Sequence, residues 1–137
     1  MSMSNKEIVR RIIAEIDAQN FSEVHGLLTQ DVVFHFPGGI TLDRQQAVDN
    51  ERMFAVGFPD ASRSIDQLFA EGDRVALRET FRGTHNGEFQ GIPASGRKVE
   101  LTANVIYRIA DNKIAEIWAE ADIGSFVALL QEPGEPN

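Results

Sequence analysis

Tyr107-Arg108-Ile109-Ala110-Asp111-Asn112-Lys113-Ile114-Ala115-Glu116-Ile117-Trp118 is the stretch on which the fold turns. Apolar and polar residues alternate on both sides of Asp111-Asn112, the pattern of two strands joined by a short loop. After Gly, Asp and Asn best tolerate the positive φ that a two-residue hairpin loop requires at both positions. Counting outward from that loop sets Ala110 opposite Lys113, Ile109 opposite Ile114, Tyr107 opposite Glu116 and Val105 opposite Trp118. Further out, Ala103 meets Glu120 and Leu101 meets Asp122. One face then carries Leu101, Ala103, Val105, Tyr107 and Ile109 with Ile114, Glu116, Trp118, Glu120 and Asp122. The other carries Thr102, Asn104, Ile106 and Arg108 with Ala115, Ile117, Ala119 and Ala121. The small apolar patch of Ile106, Ala115, Ile117, Ala119 and Ala121 is expected on the outside of the sheet, where such patches mark contacts; this predicts a homodimer.

The period of two extends back from the hairpin and predicts strands near 62–69, 74–85, 98–109 and 113–121. Within the second, Val75, Leu77, Glu79 and Phe81 form the more apolar parity, so Arg78 faces out with Thr80 and Arg82. Earlier the period is helical. Ser4-Asn5-Lys6-Glu7 fits a capping box, and Ile8, Val9, Ile12, Ile13 and Ile16 form one buried stripe of a helix that ends near Asn20. Ser22 is a cap for a short second helix through Leu28, Val32–Phe36 reads as a strand cut off by Pro37-Gly38-Gly39, and a third helix runs from about Asp43 to Val56. Helices first and an antiparallel sheet after them predict an α+β domain with the sheet wrapped around the first helix. It occupies residues 1–131, and the Pro/Gly/acid-rich stretch 132–137 is expected to be a disordered tail.

With 137 residues the chain suits one domain, and its net charge of −8 repels phosphate backbones, which argues against a nucleic-acid partner. Having no Cys, it has no disulfide, thiolate nucleophile or Cys-ligated metal site. There is no apolar run of membrane-spanning length, and the polar start Met1-Ser2-Met3-Ser4-Asn5 lacks a signal-peptide profile, so a cytoplasmic location is expected.

Asp122 is the leading candidate for chemistry. A carboxylate next to an indole loses hydration, its pKa rises, and it becomes a better general acid or base. The same residue is well placed to cap the helix that follows, and the two roles are compatible. His35 is a candidate proton donor or a satisfied strand-edge histidine, with Phe34 and Phe36 on the opposite side of its strand. His85 enters a Gly-rich loop and reads as a packing residue, and His25 as a solvated one. No short His spacing supports a metal site, the glycines of the loop lack the Lys-Ser/Thr ending of a phosphate loop, and there is no Gly-x-Ser-x-Gly elbow.

Four stretches together resemble the SnoaL-like polyketide cyclase family of the nuclear-transport-factor-2-like cone superfamily. They are His35-Phe36-Pro37, Phe58-Pro59-Asp60, Gly83-Thr84-His85-Asn86-Gly87-Glu88-Phe89 with Gln90-Gly91-Ile92-Pro93, and Ile114-Ala115-Glu116-Ile117-Trp118 followed by Asp122. The resemblance runs over roughly 5–131, with Asn112 where the family usually has Gly. It implies a cone-shaped curved antiparallel sheet around the first helix, with an apolar pocket at its mouth. It further implies intramolecular aldol closure on an apolar, polyketide-like carbonyl compound, without metal or cofactor, with Asp122 as acid/base and His35 as pocket histidine. Trp118, Tyr107 and Glu120 are the expected substrate-binding residues on the sheet, and Met53, Phe54 and Phe58 the residues closing the mouth. A non-catalytic small-molecule-binding module and a hydrolase or dehydratase on the same cone are the alternatives.

Overall fold

Helix α1 (Asn5–Asp17) starts where the Ser4 hydroxyl accepts a hydrogen bond from the Glu7 N–H at 3.2 Å. It buries Ile8, Val9, Ile12 and Ile13, each worth about 1.5–3 kcal/mol when taken fully out of water. The chain reverses at Gln19, in the left-handed region at φ 60°, and α2 (Phe21–Leu27) begins from Asn20 rather than from Ser22. Leu28 already belongs to strand β1 (Leu28–Phe36). Gly38 and Gly39, both at positive φ, turn the chain into β2 (Ile40–Leu42), a strand too short to register as alternation. A full capping box at Asp43 and Gln46 opens α3 (Arg44–Gly57). Then come β3 (Ser62–Glu71), β4 (Arg74–Thr84), β5 (Lys98–Ala110), β6 (Lys113–Ala121) and α4 (Ile123–Leu130). This computed structural model describes residues 3–132, so the tail expected from 132 onward lies, but for Glu132, outside the described residues.

The six strands form one curved sheet in the order β2-β1-β6-β5-β4-β3. Every neighbouring pair is antiparallel except β1 and β6, which run parallel. The fold is the expected α+β cone with a parallel seam where β1 joins. One core packs α1 into the concave face, and a second, built on Phe54, Phe58, Phe81, Phe89 and Phe126, fills the end beneath α4.

The hairpin corrects the sequence-based count in one place. Asp111 and Asn112 take φ of 52° and 61°, as a two-residue loop demands, and Ile109 faces Ile114. The ladder then skips: Arg108 faces Glu116, leaving Ala115 as the extra residue of a β-bulge. A one-residue shift exchanges the two faces of a strand. Tyr107 therefore faces Ile117, Val105 faces Ala119 and Ala103 faces Ala121, while Trp118 lies opposite Ile106 and Glu120 opposite Asn104. The apolar outer patch expected from Ala115, Ile117, Ala119 and Ala121 does not exist. Ala115 is buried, the other three line the interior, and only Ile106, 43% exposed, remains outside. The homodimer expectation loses the surface that motivated it.

Candidate functional site

The cone encloses a cavity between the concave sheet and helices α1 and α3, about 880 Å³ of empty space with its open mouth included. Ile12 and Ile16 of α1, Phe54 of α3 and Val105, Ile117 and Ala119 of the sheet are representative of its walls. Among the described residues its polar lining is confined to Asn50, Glu51, Arg63, Glu79 and Tyr107.

Strand alternation delivers these groups. Arg63 shares parity with Ile65 on β3, Glu79 lies between Leu77 and Phe81 in the inward series of β4, and Tyr107 follows Val105 inward on β5. Glu51 comes from α3. Arg63 organises the acids. Its Nη1 donates to Asp17 Oδ1 at 2.8 Å, its Nη2 to Glu51 Oε2 at 3.1 Å, and its backbone N–H to Asp17 Oδ2 at 2.9 Å. Its guanidinium lies 5.0 Å over the Phe81 ring. Burial works against the Arg63 charge, but Glu51, Glu79 and Asp17 outweigh it and hold the guanidinium firmly protonated.

Glu79 is treated differently. Its Oε2 is 3.9 Å from Arg63 Nε, an ion pair beyond hydrogen-bond range, and this buried oxygen has no hydrogen-bond partner. Burial pushes the Glu79 carboxyl up to about 7; Arg63 opposes the rise, and Glu51, Asp17 and Asp66 add to it. Burial also raises Glu51, with Arg63 opposing and Asp17 adding. Tyr107, 5% exposed, has no hydrogen-bond partner among the described residues, and burial, then the Glu79 and Glu51 charges, raise its hydroxyl well above the ordinary tyrosine value. A carboxyl that titrates near neutrality and a phenol without a partner, lining one cavity, are groups able to accept a proton and to stabilise an oxyanion.

Of the residues singled out from sequence, Tyr107 and Phe54 line this cavity. Trp118 does not, because the bulge turns it to the outer face. There it stacks on His35 with ring centroids 5.4 Å apart and planes 7° apart, and the Arg74 guanidinium lies 4.9 Å over the Trp118 ring. His35 Nε2 pairs with Glu116 Oε2 at 2.7 Å, and Arg108 Nε donates to Glu116 Oε1 at 3.3 Å. The His35 bond is the main reason that the Glu116 carboxyl sits below its usual range. His35 and Trp118 are thus brought together, but outside the cone, so His35 is not a pocket histidine; Phe34 and Phe36, on the opposite side of its strand as expected, line the cavity instead. Glu120 is exposed on the same outer side.

Asp122 is exposed and caps α4, its Oδ1 accepting from the Ser125 N–H at 3.0 Å. That bond lowers its carboxyl below the ordinary value, opposite to the rise expected beside an indole. Its neighbours Ala121 and Ile123 line the cavity, so Asp122 stands at the rim. Phe58 is wholly buried in the phenylalanine cluster and Met53 packs against that cluster, so neither closes the mouth. His85 is a packing residue, buried with Nδ1 2.8 Å from Ser95 Oγ. No group of three or more His, Asp or Glu among the described residues is arranged to hold a metal ion, and no described helix is long and apolar enough to cross a membrane.

Sequence reasoning missed Glu51, Arg63 and Glu79 as site residues. The signal was present for Glu79, a charged residue in the apolar parity of an otherwise alternating strand, whereas the register of β3 shifts between Ile65 and Gln67 and blurs the parity of Arg63. Glu51, on a helix with apolar residues spread around it, offered no such mark.

The profile of the SnoaL-like polyketide cyclase family matches residues 6–129. No curated protein matches the sequence at a significant level. Among solved structures, the provisionally assigned polyketide cyclase IdmH from Streptomyces antibioticus is 27% identical, with 95% of this chain and 100% of that one covered and a TM-score of 0.83. AclR from Streptomyces galilaeus, provisionally assigned as a hydroxylase, is 25% identical over 94% of this chain and 97% of its own, with a TM-score of 0.84. A provisionally assigned SnoaL-like polyketide cyclase from Jannaschia sp. CCS1 has a TM-score of 0.86 at 22% identity, over 95% of this chain and 93% of that one, a likeness of fold alone. With the family profile spanning all but the ends of the sequence and the cone matching at full length, the chain belongs to the SnoaL-like polyketide cyclase family.

Proposed function

We propose that the protein is an acid–base catalyst of the cyclase or isomerase type, acting on an apolar carbonyl compound seated in the cone, with Glu79 as the group that moves the proton. The observation that carries this reading is the Glu79 carboxyl: it lines a cavity that is otherwise almost wholly apolar and takes part in no hydrogen bond among the described residues. In an aldol closure the Glu79 carboxylate takes a proton from the carbon α to a carbonyl, and the electron pair moves onto the carbonyl oxygen. The Tyr107 O–H donates to that oxygen. The enolate carbon then forms a C–C bond to a second carbonyl of the same molecule, and the new alkoxide takes the proton back from Glu79. The product is an isomer of the substrate, so no oxidant or reductant enters.

The first half of this sequence is testable without the natural substrate. Exchange of the α-hydrogens of 2-tetralone in heavy water, followed by NMR, is expected to run faster with the protein than in buffer. It should fall by about 10²–10⁴-fold in Glu79→Gln. No acceleration by the native protein would favour a non-catalytic binding module, and incorporation of oxygen from labelled water into a product would favour a hydrolase.

A second reading keeps Asp122 as the base, favoured by its place between the cavity-lining Ala121 and Ile123. The pH profile separates the two. A rate carried by ionised Glu79 rises with a midpoint of about 7, whereas one carried by Asp122 is already at its plateau well below that.

A further inference from the structure

The polar end of the cavity has an unbalanced charge. Two acids, Glu51 and Glu79, line it, Asp17 stands behind them, and Arg63 is its only cation among the described residues. Arg63 already has both terminal nitrogens engaged, by Asp17 and Glu51, and its Nε faces Glu79. Asn50 adds an amide and no charge. Tyr107, 5% exposed, lines the same cavity, and its hydroxyl has no partner among the described residues. A buried tyrosine O–H usually finds one. The unfilled positions therefore include a donor on Tyr107 and an acceptor on the Glu79 carboxylate, which takes part in no hydrogen bond among the described residues.

We infer that Glu51 and Glu79 make the cavity selective for uncharged ligands whose buried head is a hydroxyl or an enolisable carbonyl, and that they exclude carboxylates. A hydroxyl can accept from Tyr107 or donate to a carboxylate, and a carbonyl can accept from Tyr107, in either case without adding charge. A carboxylate can also accept from Tyr107, but it places a further negative charge in a low-dielectric site where the one guanidinium is already shared among three acids. This rests on the proposed function only in taking the same cavity as the ligand site; it concerns binding and not turnover.

Two probes with the same apolar body and different heads test it: 2-naphthol and 2-naphthoate, the first neutral and the second ionised near neutral pH. Fluorescence titration of the native protein at pH 8, where the Glu79 carboxyl is mostly ionised and 2-naphthol is still neutral, should give at least roughly hundredfold weaker binding for 2-naphthoate, since like charges brought together at an interface cost several kcal/mol. In Glu51→Gln/Glu79→Gln the gap should shrink to less than about tenfold through a gain in naphthoate binding, because the variant removes charge and keeps shape. Glu51→Gln alone should give part of the same gain, which covers the case of a double variant that fails to fold. Tyr107→Phe should weaken 2-naphthol by about tenfold, the loss of one net hydrogen bond. Equal binding of the two probes, a gap unmoved by the Gln variants, or binding of neither probe overturns the inference. Charge selection without exchange of 2-tetralone leaves this inference standing and removes the catalytic one; exchange without charge selection does the reverse.

Discussion

Arg63 Nε stands 3.9 Å from Glu79 Oε2, near enough to feel its charge and too far to hydrogen-bond to it. The same guanidinium binds Asp17 and Glu51 at 2.8 and 3.1 Å. One cation thus holds two acids in place and leaves the third free at the cavity wall. Of the three acids, Glu79 is the one that takes part in no hydrogen bond among the described residues.

Keeping Glu79 buried has a consequence for stability. Its folded pKa of about 7 is above the ordinary 4.5, so the folded state holds the proton more tightly than the unfolded chain. The stabilisation is complete below about pH 4.5 and is lost as pH rises through 7. Glu79→Gln mimics the protonated form at every pH. The variant should match the native protein near pH 4 and exceed it by about 3 kcal/mol near pH 8. Urea denaturation of both proteins at the two pH values measures this, and a difference that does not grow with pH would contradict the buried setting of Glu79.

Arg63 is expected to be the most sensitive polar position in the molecule. Arg63→Met keeps the volume and the packing on Phe81 but strands Asp17, Glu51 and Glu79 together in the interior. Removing one partner from a buried ion pair costs about 3–5 kcal/mol. Because the remaining acids can take up protons, the loss should shrink as pH is lowered. Denaturation midpoints over a pH series report both effects.

Asp122→Asn should change little. Asn and Asp are equivalent as helix N-caps, so the bond to the Ser125 N–H survives and stability should move by only a few tenths of a kcal/mol. If Glu79 is the base, 2-tetralone exchange should remain within about threefold of native, far less than the loss of at least 10² expected on removing a general base. A large loss of exchange in this variant, with Glu79→Gln active, would transfer the proton to the rim of the cone.

Most of the architecture was legible because long elements carry a period. The strands at 62–71, 74–84, 98–110 and 113–121 follow from alternation, and α1 from its isoleucine stripe. The site was less legible for two physical reasons. The hairpin loop fixes register only until the first irregularity, and nothing in Ile114-Ala115-Glu116 announces a bulge: Ile114 and Ala115 are both buried although they are adjacent. That one residue moved Trp118 and Glu120 from the inside of the cone to the outside and brought Ile117, Ala119 and Ala121 in. The second reason is Arg63. A single arginine serving three acids is made by β3, α1 and α3 meeting in space, at sequence separations of 46 and 12 residues from its hydrogen-bonded acids.

The bulge itself can be tested by chemistry, because the chain has no Cys and any disulfide introduced is the sole one possible. With the bulge at Ala115, Asn104 faces Glu120 directly, both on the outer side of the sheet. Without it, Ala103 would face Glu120. Cα atoms of directly opposed residues in an antiparallel pair lie about 4.5–5.5 Å apart, inside the range that a disulfide spans. Residues whose Cβ atoms leave opposite faces of a sheet cannot be bridged without moving the backbone. Asn104→Cys/Glu120→Cys should therefore oxidise readily to a crosslinked monomer, with no free thiol by titration. Ala103→Cys/Glu120→Cys should keep both thiols under the same oxidant, since Ala103 points into the cavity and Glu120 away from it. The opposite outcome would restore the unbroken register, put Trp118 back inside the cone, and remove the apolar wall against which Glu79 now stands.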